Sequence, residues 1–158
     1  MKPLAPHICL VEPEIPQNTG AIARLAAATR STLHLIKPLG FSFEDRYMKR
    51  AGLDYWPYLD LKLHESFDEM LSTFETPPKM AFFSTKASKP YWDLPPVDMV
   101  VFGKETSGLP PSFWERYPDD FATIPMYHPG VRSLNLANSV SIVVYNQIQQ
   151  RVSDIRKS

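Results

Sequence analysis

Four small polar side chains crowd the start of the last apolar segment of the chain. They lie within seven residues, directly after a loop of proline and glycine: Ser133, Asn135, Asn138 and Ser139. A buried helix start needs one capping side chain, so four exceed that need. The surplus favours a ligand pocket floored by backbone and hydroxyl groups. The alternative is a capped core helix whose asparagines satisfy loop carbonyls.

A second loop of unusual composition covers residues 102–110 and begins at the end of an apolar run. Gly103 stands at the predicted strand end, where a Cβ would obstruct a ligand. An ionised Glu105 only accepts hydrogen bonds, so it can hold backbone N–H groups or a basic side chain. An ordinary turn that uses glycine for its φ freedom is an equal alternative. The spacing is not that of a P-loop, since no Ser or Thr follows the lysine.

The third loop covers residues 14–20 and precedes a predicted helix. We expect Asn18 or Thr19 to cap that helix, and Gly20 to allow a positive φ or a close backbone approach. Arg24 then lies about one and a half turns into the helix, where a guanidinium can reach a phosphate or hydroxyl above the N-terminus. A capped helix with a solvated arginine is the alternative that spacing alone favours.

The elements between these loops bring them to one edge of a sheet. Short apolar runs predict buried strands at 7–11, 32–36, 80–84, 99–102 and 121–124. An alternating run at 59–64 predicts a strand that buries its leucines and exposes His64. Helices are predicted at about 19–30, 42–52, 66–74, 111–117 and 135–151, with 153–158 frayed. This alternation predicts an α/β fold with a mostly parallel sheet flanked by helices, in which ligands bind at the carboxyl ends of the strands.

Composition limits the class of protein. The 158 residues predict a single domain, 1–158, and the formal net charge of zero gives no global support to a nucleic-acid partner while leaving a local patch open. Cys9 is the only cysteine and lies in an apolar run, so we expect it in the core of a cytosolic protein. We expect no membrane span. We also expect no metal, because the histidines lack zinc-ligand spacing. His34 is expected to be a core histidine.

Taken in order, the three loops resemble the motifs of the SPOUT class of RNA 2′-O-ribose methyltransferases. The matching patterns are Asn18-x-Gly20-x-x-x-Arg24, Phe102-Gly103-x-Glu105-x-x-Gly108-Leu109, and Ile124-Pro125-Met126 with Ser133-Leu134-Asn135-Leu136-x-Asn138-Ser139. The string Arg50-Ala51-Gly52-Leu53-Asp54-Tyr55, together with Tyr145, is similar to the TrmL branch, the tRNA (cytidine/uridine wobble) 2′-O-methyltransferases. The resemblance covers nearly the whole chain.

The resemblance implies a fold, a reaction and partners. The fold would carry a deep trefoil knot in its C-terminal part, and the knot loops would bind S-adenosylmethionine. The reaction would methylate the 2′-hydroxyl of a wobble cytidine or uridine in the anticodon stem-loop of a tRNA. The protein would work in the cytoplasm as a homodimer without a metal.

The resemblance also assigns roles to individual residues. It implies cofactor contacts from Phe83, Gly103, Ile124 and Ser133, and a knot shaped by Leu134, Asn135 and Asn138. Arg24 corresponds to the arginine that acts on the ribose hydroxyl, with Asn18 orienting it. A guanidinium is a poor base, so its implied role is to position and polarise that hydroxyl. Tyr145 corresponds to a tyrosine on the dimer and RNA side.

Two departures and two other functions stay open. Ala137 stands where a serine is common and Asn146 where an acidic residue is common; these departures bear on the RNA target and not on the reaction class. The zero net charge and small size are compatible with a non-catalytic knotted RNA-binding or assembly module. Another rRNA or tRNA ribose methyltransferase is the second alternative. A generic nucleotide-binding enzyme would need a glycine fingerprint that the sequence lacks.

Overall fold

A computed structural model describes residues 3–43 and 53–158. The described strands form one six-stranded sheet: β1 His7–Val11, β2 Thr32–Ile36, β3 Asp60–His64, β4 Met80–Phe83, β5 Met99–Phe102 and β6 Phe121–Ala122. The described α-helices are α1 Pro16–Thr29, α2 Phe67–Ser72, α3 Pro111–Arg116 and α4 Leu136–Lys157, with 3₁₀ turns at Leu53–Tyr58 and Tyr91–Asp93. The predicted α/β class is confirmed.

All strand pairs in the sheet are parallel, in the order β3-β2-β1-β5-β4-β6. Leu10 of β1 pairs with Leu35 on one side and Phe102 on the other. After β1 the chain proceeds toward β2 and β3, whereas β4, β5 and β6 fill the opposite half. The loops after β1 and β5 therefore lie at the point where the strand order changes direction. Open parallel sheets bind ligands at such a point.

The core lies on both faces of the sheet. On one face Ile8 and Leu10 pack with α1 and α4, and on the other Cys9 and Val11 pack with α2 and α3. This division follows from the alternation of side chains along a strand. Cys9 is fully buried, and burial raises the pKa of its thiol, so the predicted core role of this cysteine is confirmed.

Helix α1 begins earlier than the sequence indicates. Pro16 occupies its first turn, where a missing N–H has no cost, and Ile15 at the N-cap makes no side-chain cap. Asn18 and Thr19 are therefore buried within the helix, and the prediction that one of them caps it is wrong. Gly20 is also helical, without the positive φ that was one of its two predicted uses.

Strand β3 buries the residue that its pattern was expected to expose. Leu63 is 42% exposed, whereas His64 is 5% exposed. Nε2 of His64 lies 2.9 Å from Nδ1 of His34, whose Nε2 lies 2.9 Å from Nδ1 of His7. Three neighbouring strands thus share a row of hydrogen-bonded imidazoles. The row explains the burial of His64 and confirms that His34 is a satisfied core histidine.

The ends of β6 and of α4 also differ from prediction. β6 ends at Ala122 rather than residue 124, because Thr123 pairs outside the sheet with Pro90. α4 continues to Lys157 instead of fraying from residue 153, and its last turn carries Arg156 and Lys157, whose charges favour a helix C-terminus. The predicted helix at 42–52 lies mostly outside the described residues. None of the helices found in residues 3–43 and 53–158 has the length and the apolar character that a membrane span requires.

Candidate active site

A cavity opens at the carboxyl edge of the sheet, between the loops that follow β4, β5 and β6 and the starts of α1 and α4. Its volume is about 1040 Å³, near the upper end of the range of small-molecule pockets. It brings together five of the site residues predicted from sequence: Asn18, Phe83, Gly103, Ile124 and Ser133. The convergence of residues from such distant segments is the main structural support for a ligand site here.

Two predicted site residues lie outside the cavity wall. Arg24 is exposed and lies about two turns into α1. Its guanidinium carbon lies 4.7 Å from the centre of the Tyr55 ring. Tyr145 is 54% exposed on α4. Both side chains are therefore available to a partner larger than a ligand enclosed in the cavity.

Aromatic side chains form part of the cavity wall at the strand ends. Phe83, the last residue of β4, stacks on Phe102, the last residue of β5, with ring centres 4.8 Å apart and planes 10° apart. Ile124 and Leu134 add aliphatic surface to the same cavity. The aliphatic surface of this part of the wall suits an apolar group of a ligand, and the two buried rings support it from the core.

Gly103 is required by the loop that it opens. A Cβ at this position would lie 2.1 Å from the carbonyl carbon of Gly108 and 2.2 Å from the backbone nitrogen of Leu109. The loop folds back on itself there, with the N–H of Gly108 donating to the carbonyl of Lys104 at 2.9 Å and Gly108 at a φ of +69°. A Cβ at Gly103 would therefore collide with the backbone of its own loop before it could obstruct a ligand.

Glu105 joins this loop to the start of α1. Its carboxylate accepts hydrogen bonds from the backbone N–H groups of Glu14 and Ile15, each at 2.9 Å, and from Nδ2 of Asn18 at 3.2 Å. The prediction that Glu105 holds backbone N–H groups is confirmed. A carboxylate beside a helix N-terminus is also favoured by the helix dipole.

Glu14 makes the reciprocal connection. Its carboxylate accepts from the backbone N–H of Thr106 at 3.0 Å and from the Thr106 hydroxyl at 2.7 Å. These two hydrogen bonds hold the pKa of Glu14 below its usual value. The loops that follow β1 and β5 are thus joined by a carboxylate from each side.

A third connection reaches the start of α4. Nδ2 of Asn135 donates to Oδ1 of Asn18 at 2.9 Å, while Oδ1 of Asn135 accepts from the backbone N–H of Asn138 at 3.2 Å. Because an ionised Glu105 only accepts, it fixes the amide of Asn18 and, through it, the amide of Asn135. We call the series Glu105, Asn18, Asn135 and the Asn138 N–H the amide relay.

The amide relay changes the interpretation of the polar cluster at 133–139. Asn135 caps α4, as the capped-helix alternative requires, and the hydroxyl of Ser139 donates to the Asn135 carbonyl at 3.2 Å. Ser133 and Ser139 nevertheless line the cavity, as a ligand pocket requires. The cluster therefore caps α4 and also lines the cavity, so the capped-helix alternative and a ligand pocket are compatible.

Most of the ionisable side chains that line the described cavity wall are basic, namely Lys86, Lys104 and Arg132. The acidic one is the relay residue Glu105. These three basic residues were not singled out from the sequence, because the net charge of zero conceals a local excess of positive charge. The lysines of the loop after β4 were the available signal. Within the described ranges, no group of His, Cys, Asp or Glu side chains is arranged to hold a metal ion.

Comparisons with known proteins agree on one class. The model of the SpoU rRNA Methylase family matches residues 5–145. The tRNA (cytidine(34)-2′-O)-methyltransferase of Burkholderia pseudomallei is 44% identical over 148 residues, which are 91% of this chain and 94% of that protein. One solved structure is described as giving structural insights into the 2-OH methylation of C/U34 on tRNA. It is 42% identical to this chain and has a TM-score of 0.86, and the match covers 93% of this chain and 96% of that chain.

A more distant structure supports the fold alone. A SpoU methyltransferase of Streptomyces viridochromogenes, solved in complex with the cofactor AdoMet, has a TM-score of 0.83 at 22% identity. The match covers 97% of this chain and 60% of that chain. The sheet and its helices are therefore shared well beyond the relatives of similar length.

Proposed function

The chain belongs to the SpoU rRNA methylase family, and we propose that it transfers a methyl group from S-adenosylmethionine to the ribose 2′-hydroxyl of nucleotide 34, the wobble nucleotide, of a tRNA. The observation that carries this proposal is the cavity in which Asn18, Phe83, Gly103, Ile124 and Ser133 meet. Cytidine and uridine are both proposed targets.

The cavity suits the proposed cofactor in size and chemistry. S-adenosylmethionine presents a flat adenine, ribose hydroxyls, a charged methionine end and the electrophilic methyl group that it supplies. Phe83 and Ile124 would contact the apolar parts, and the backbone around Gly103 with the hydroxyl of Ser133 would bind the polar parts. Lys104 is suited to the carboxylate of the methionine end.

Arg24 is the proposed catalytic residue. A guanidinium has hydrogen-bond donors and no acceptor, so it would position the 2′-hydroxyl and stabilise negative charge on the oxygen as its proton leaves. The exposed position of Arg24 on α1 is compatible with contact to a nucleotide that enters from outside the cavity. Asn18 would help to orient the Arg24 guanidinium, because the amide relay holds the start of α1 in place.

The proposed substrate surface surrounds the cavity mouth. The positive charges of Lys86 and Arg132 would contact phosphates of the anticodon stem-loop. Tyr145 would lie on the dimer and RNA side of a homodimer, and α4 also presents Ile155, which is 60% exposed. The C-terminal trefoil knot and a cytoplasmic location, where tRNA is processed, belong to the same proposal.

A methylation assay tests this proposal directly. The purified protein is incubated with labelled S-adenosylmethionine and an anticodon stem-loop that lacks 2′-O-methylation, and the label is mapped by mass spectrometry. We expect label on the ribose of nucleotide 34 and none on a matched stem-loop with a 2′-deoxy nucleotide there. Label at another nucleotide would reassign the target. No label, combined with no cofactor binding by calorimetry, would favour the non-catalytic module.

A further inference from the structure

Tyr55 lies against the residue proposed to act on the ribose. The guanidinium carbon of Arg24 is 4.7 Å from the centre of the Tyr55 ring, within the range of a cation–π interaction. Tyr55 belongs to the 3₁₀ turn Leu53–Tyr58, which packs on α1. Among the residues that the structure describes, no carboxylate forms an ion pair with Arg24. The ring is therefore the described contact that defines where this guanidinium lies.

The turn that carries Tyr55 is anchored to the core by aromatic contacts. The ring of Trp56 lies 6.4 Å from that of Phe43, and Phe43 lies 6.2 Å from Phe41. Phe43 and Leu59 both pack against the core cluster between the sheet, α1 and α4. Tyr55 itself is half-buried, whereas Tyr58 at the end of the same turn is 76% exposed. A turn that packs on α1 thus presents the Tyr55 ring to Arg24.

An aromatic ring holds a guanidinium in a way that a carboxylate cannot. The ring contacts the flat face of the cation, whereas the N–H donors point outward in its plane. A carboxylate would occupy two of these donors and offset the positive charge. A guanidinium held on a ring keeps both its donors and its charge available for a hydroxyl and a phosphate.

We propose that Tyr55 is a positioning residue that holds the Arg24 guanidinium in place while leaving its hydrogen-bond donors free for the substrate. This inference rests on the proposed function, because it assigns to Tyr55 a part in the reaction that Arg24 performs. It gives a role to Tyr55, the last residue of the string at 50–55. Neither Tyr55 nor Arg24 lines the cavity, so the effect is on turnover and not on cofactor binding.

The first test compares two substitutions at this position. We expect Tyr55→Phe, which keeps the ring, to retain kcat within about twofold, and Tyr55→Leu to lower kcat by about 3- to 30-fold, the range of a cation–π interaction. The Kd for S-adenosylmethionine, measured by calorimetry, should be unchanged in both. Tyr58→Leu, in the same turn, is the matched control and should keep the wild-type kcat. Equal kcat for wild type and a folded Tyr55→Leu would overturn the proposal.

A second test remains valid if Tyr55→Leu unfolds. Phenylalanines with increasing fluorination at position 55 keep the shape of the ring while weakening its attraction for a cation. We expect kcat to fall stepwise along this series at constant melting temperature. A flat series would show that the ring acts only through its shape and would overturn the proposal.

A double-mutant cycle separates action through Arg24 from direct contact with RNA. If Tyr55 acts by holding Arg24, Tyr55→Leu should lower kcat no further in an Arg24→Ala background. An equal additional loss there would overturn the proposal, because Tyr55 would then act on the substrate itself. The wild-type assay keeps the two hypotheses distinct: inactivity of the wild type refutes the proposed function, whereas an active wild type with an additive cycle refutes only the role of Tyr55.

Discussion

Nδ2 of Asn135 donates a hydrogen bond of 2.9 Å to Oδ1 of Asn18, a residue 117 positions away in the sequence. This contact joins the start of α4 to the start of α1, and Glu105 extends it to the loop after β5. Three segments that the sequence presents separately are thereby held in one arrangement around the cavity. The arrangement depends on the direction of each amide, since reversing one would place a donor against a donor.

Removal of the central amide should destabilise the protein. Asn18→Asp places a carboxylate against Glu105 and removes the donor to it, so we expect a loss of about 1–3 kcal/mol in the free energy of unfolding. Urea denaturation measures the loss. Asn138→Ala is the control, because the relay uses only the backbone N–H of Asn138, and it should change stability by less than about 0.5 kcal/mol. Equal stability of both variants would contradict a structural role for the relay.

Gly103→Ala should disrupt the loop after β5. The new methyl group would lie 2.1 Å from backbone of the same loop, which cannot rotate away as a side chain can. We expect a loss of about 2–4 kcal/mol and weaker binding of S-adenosylmethionine, measured by thermal denaturation and calorimetry.

A second glycine provides the control for this substitution. A Cβ at Gly130 would lie 3.0 Å from the ring of His128, an exposed side chain that can shift by giving up one exposed hydrogen bond, in which its Nδ1 accepts from the Gly130 N–H. We therefore expect Gly130→Ala to be close to neutral in stability. A Gly103→Ala protein as stable as Gly130→Ala would show that the loop adapts without cost.

The histidine row should make stability depend on pH. Burial is the main cause that lowers the pKa of His34 to about 3, with the neighbouring charges of His7 and His64 contributing, and burial lowers the pKa of those two histidines as well. The unfolded chain therefore binds protons from about pH 6.5 downward, whereas the folded chain resists them until much lower pH. Stability should fall as pH decreases through this window, by about 2 kcal/mol between pH 7 and pH 5 for His34 alone.

Urea denaturation at several pH values measures this dependence. Its slope should decrease in His34→Gln, which removes the titrating group, and should persist in His128→Gln, because His128 is exposed. An unchanged slope in His34→Gln would show that other groups cause the dependence.

Basic residues at the cavity mouth should govern the salt dependence of tRNA binding. Lys86→Gln and Arg132→Gln should each weaken binding and reduce the slope of log K against log salt by about 0.7–0.9, the value for one lost phosphate contact. Binding titrations at several salt concentrations give this slope. Lys79→Gln is the control, since Lys79 precedes β4 at the opposite edge of the sheet, and its slope should match the wild type.

Hydrophobic patterning is enough to predict the buried strands and the edge at which their loops meet. The short apolar runs at β1, β2 and β5 have the bounds that this patterning predicts, because a strand buried on both faces requires a continuous apolar segment. Parallel pairing then brings the carboxyl ends of these strands to one edge. The meeting of Asn18, Gly103 and Ser133 at one cavity is a consequence of that order.

The way in which the loops satisfy one another depends on the tertiary structure. α1 needs no cap from Asn18 or Thr19, because a carboxylate 90 residues away accepts the N–H of Ile15. His64 is buried on an edge strand because His34 supplies its hydrogen-bond partner. Local propensity describes a residue and its sequence neighbours, whereas hydrogen bonding is satisfied by whichever group the fold places within reach. Contacts between distant segments therefore fixed the helix start, the buried imidazole and the orientation of the amides.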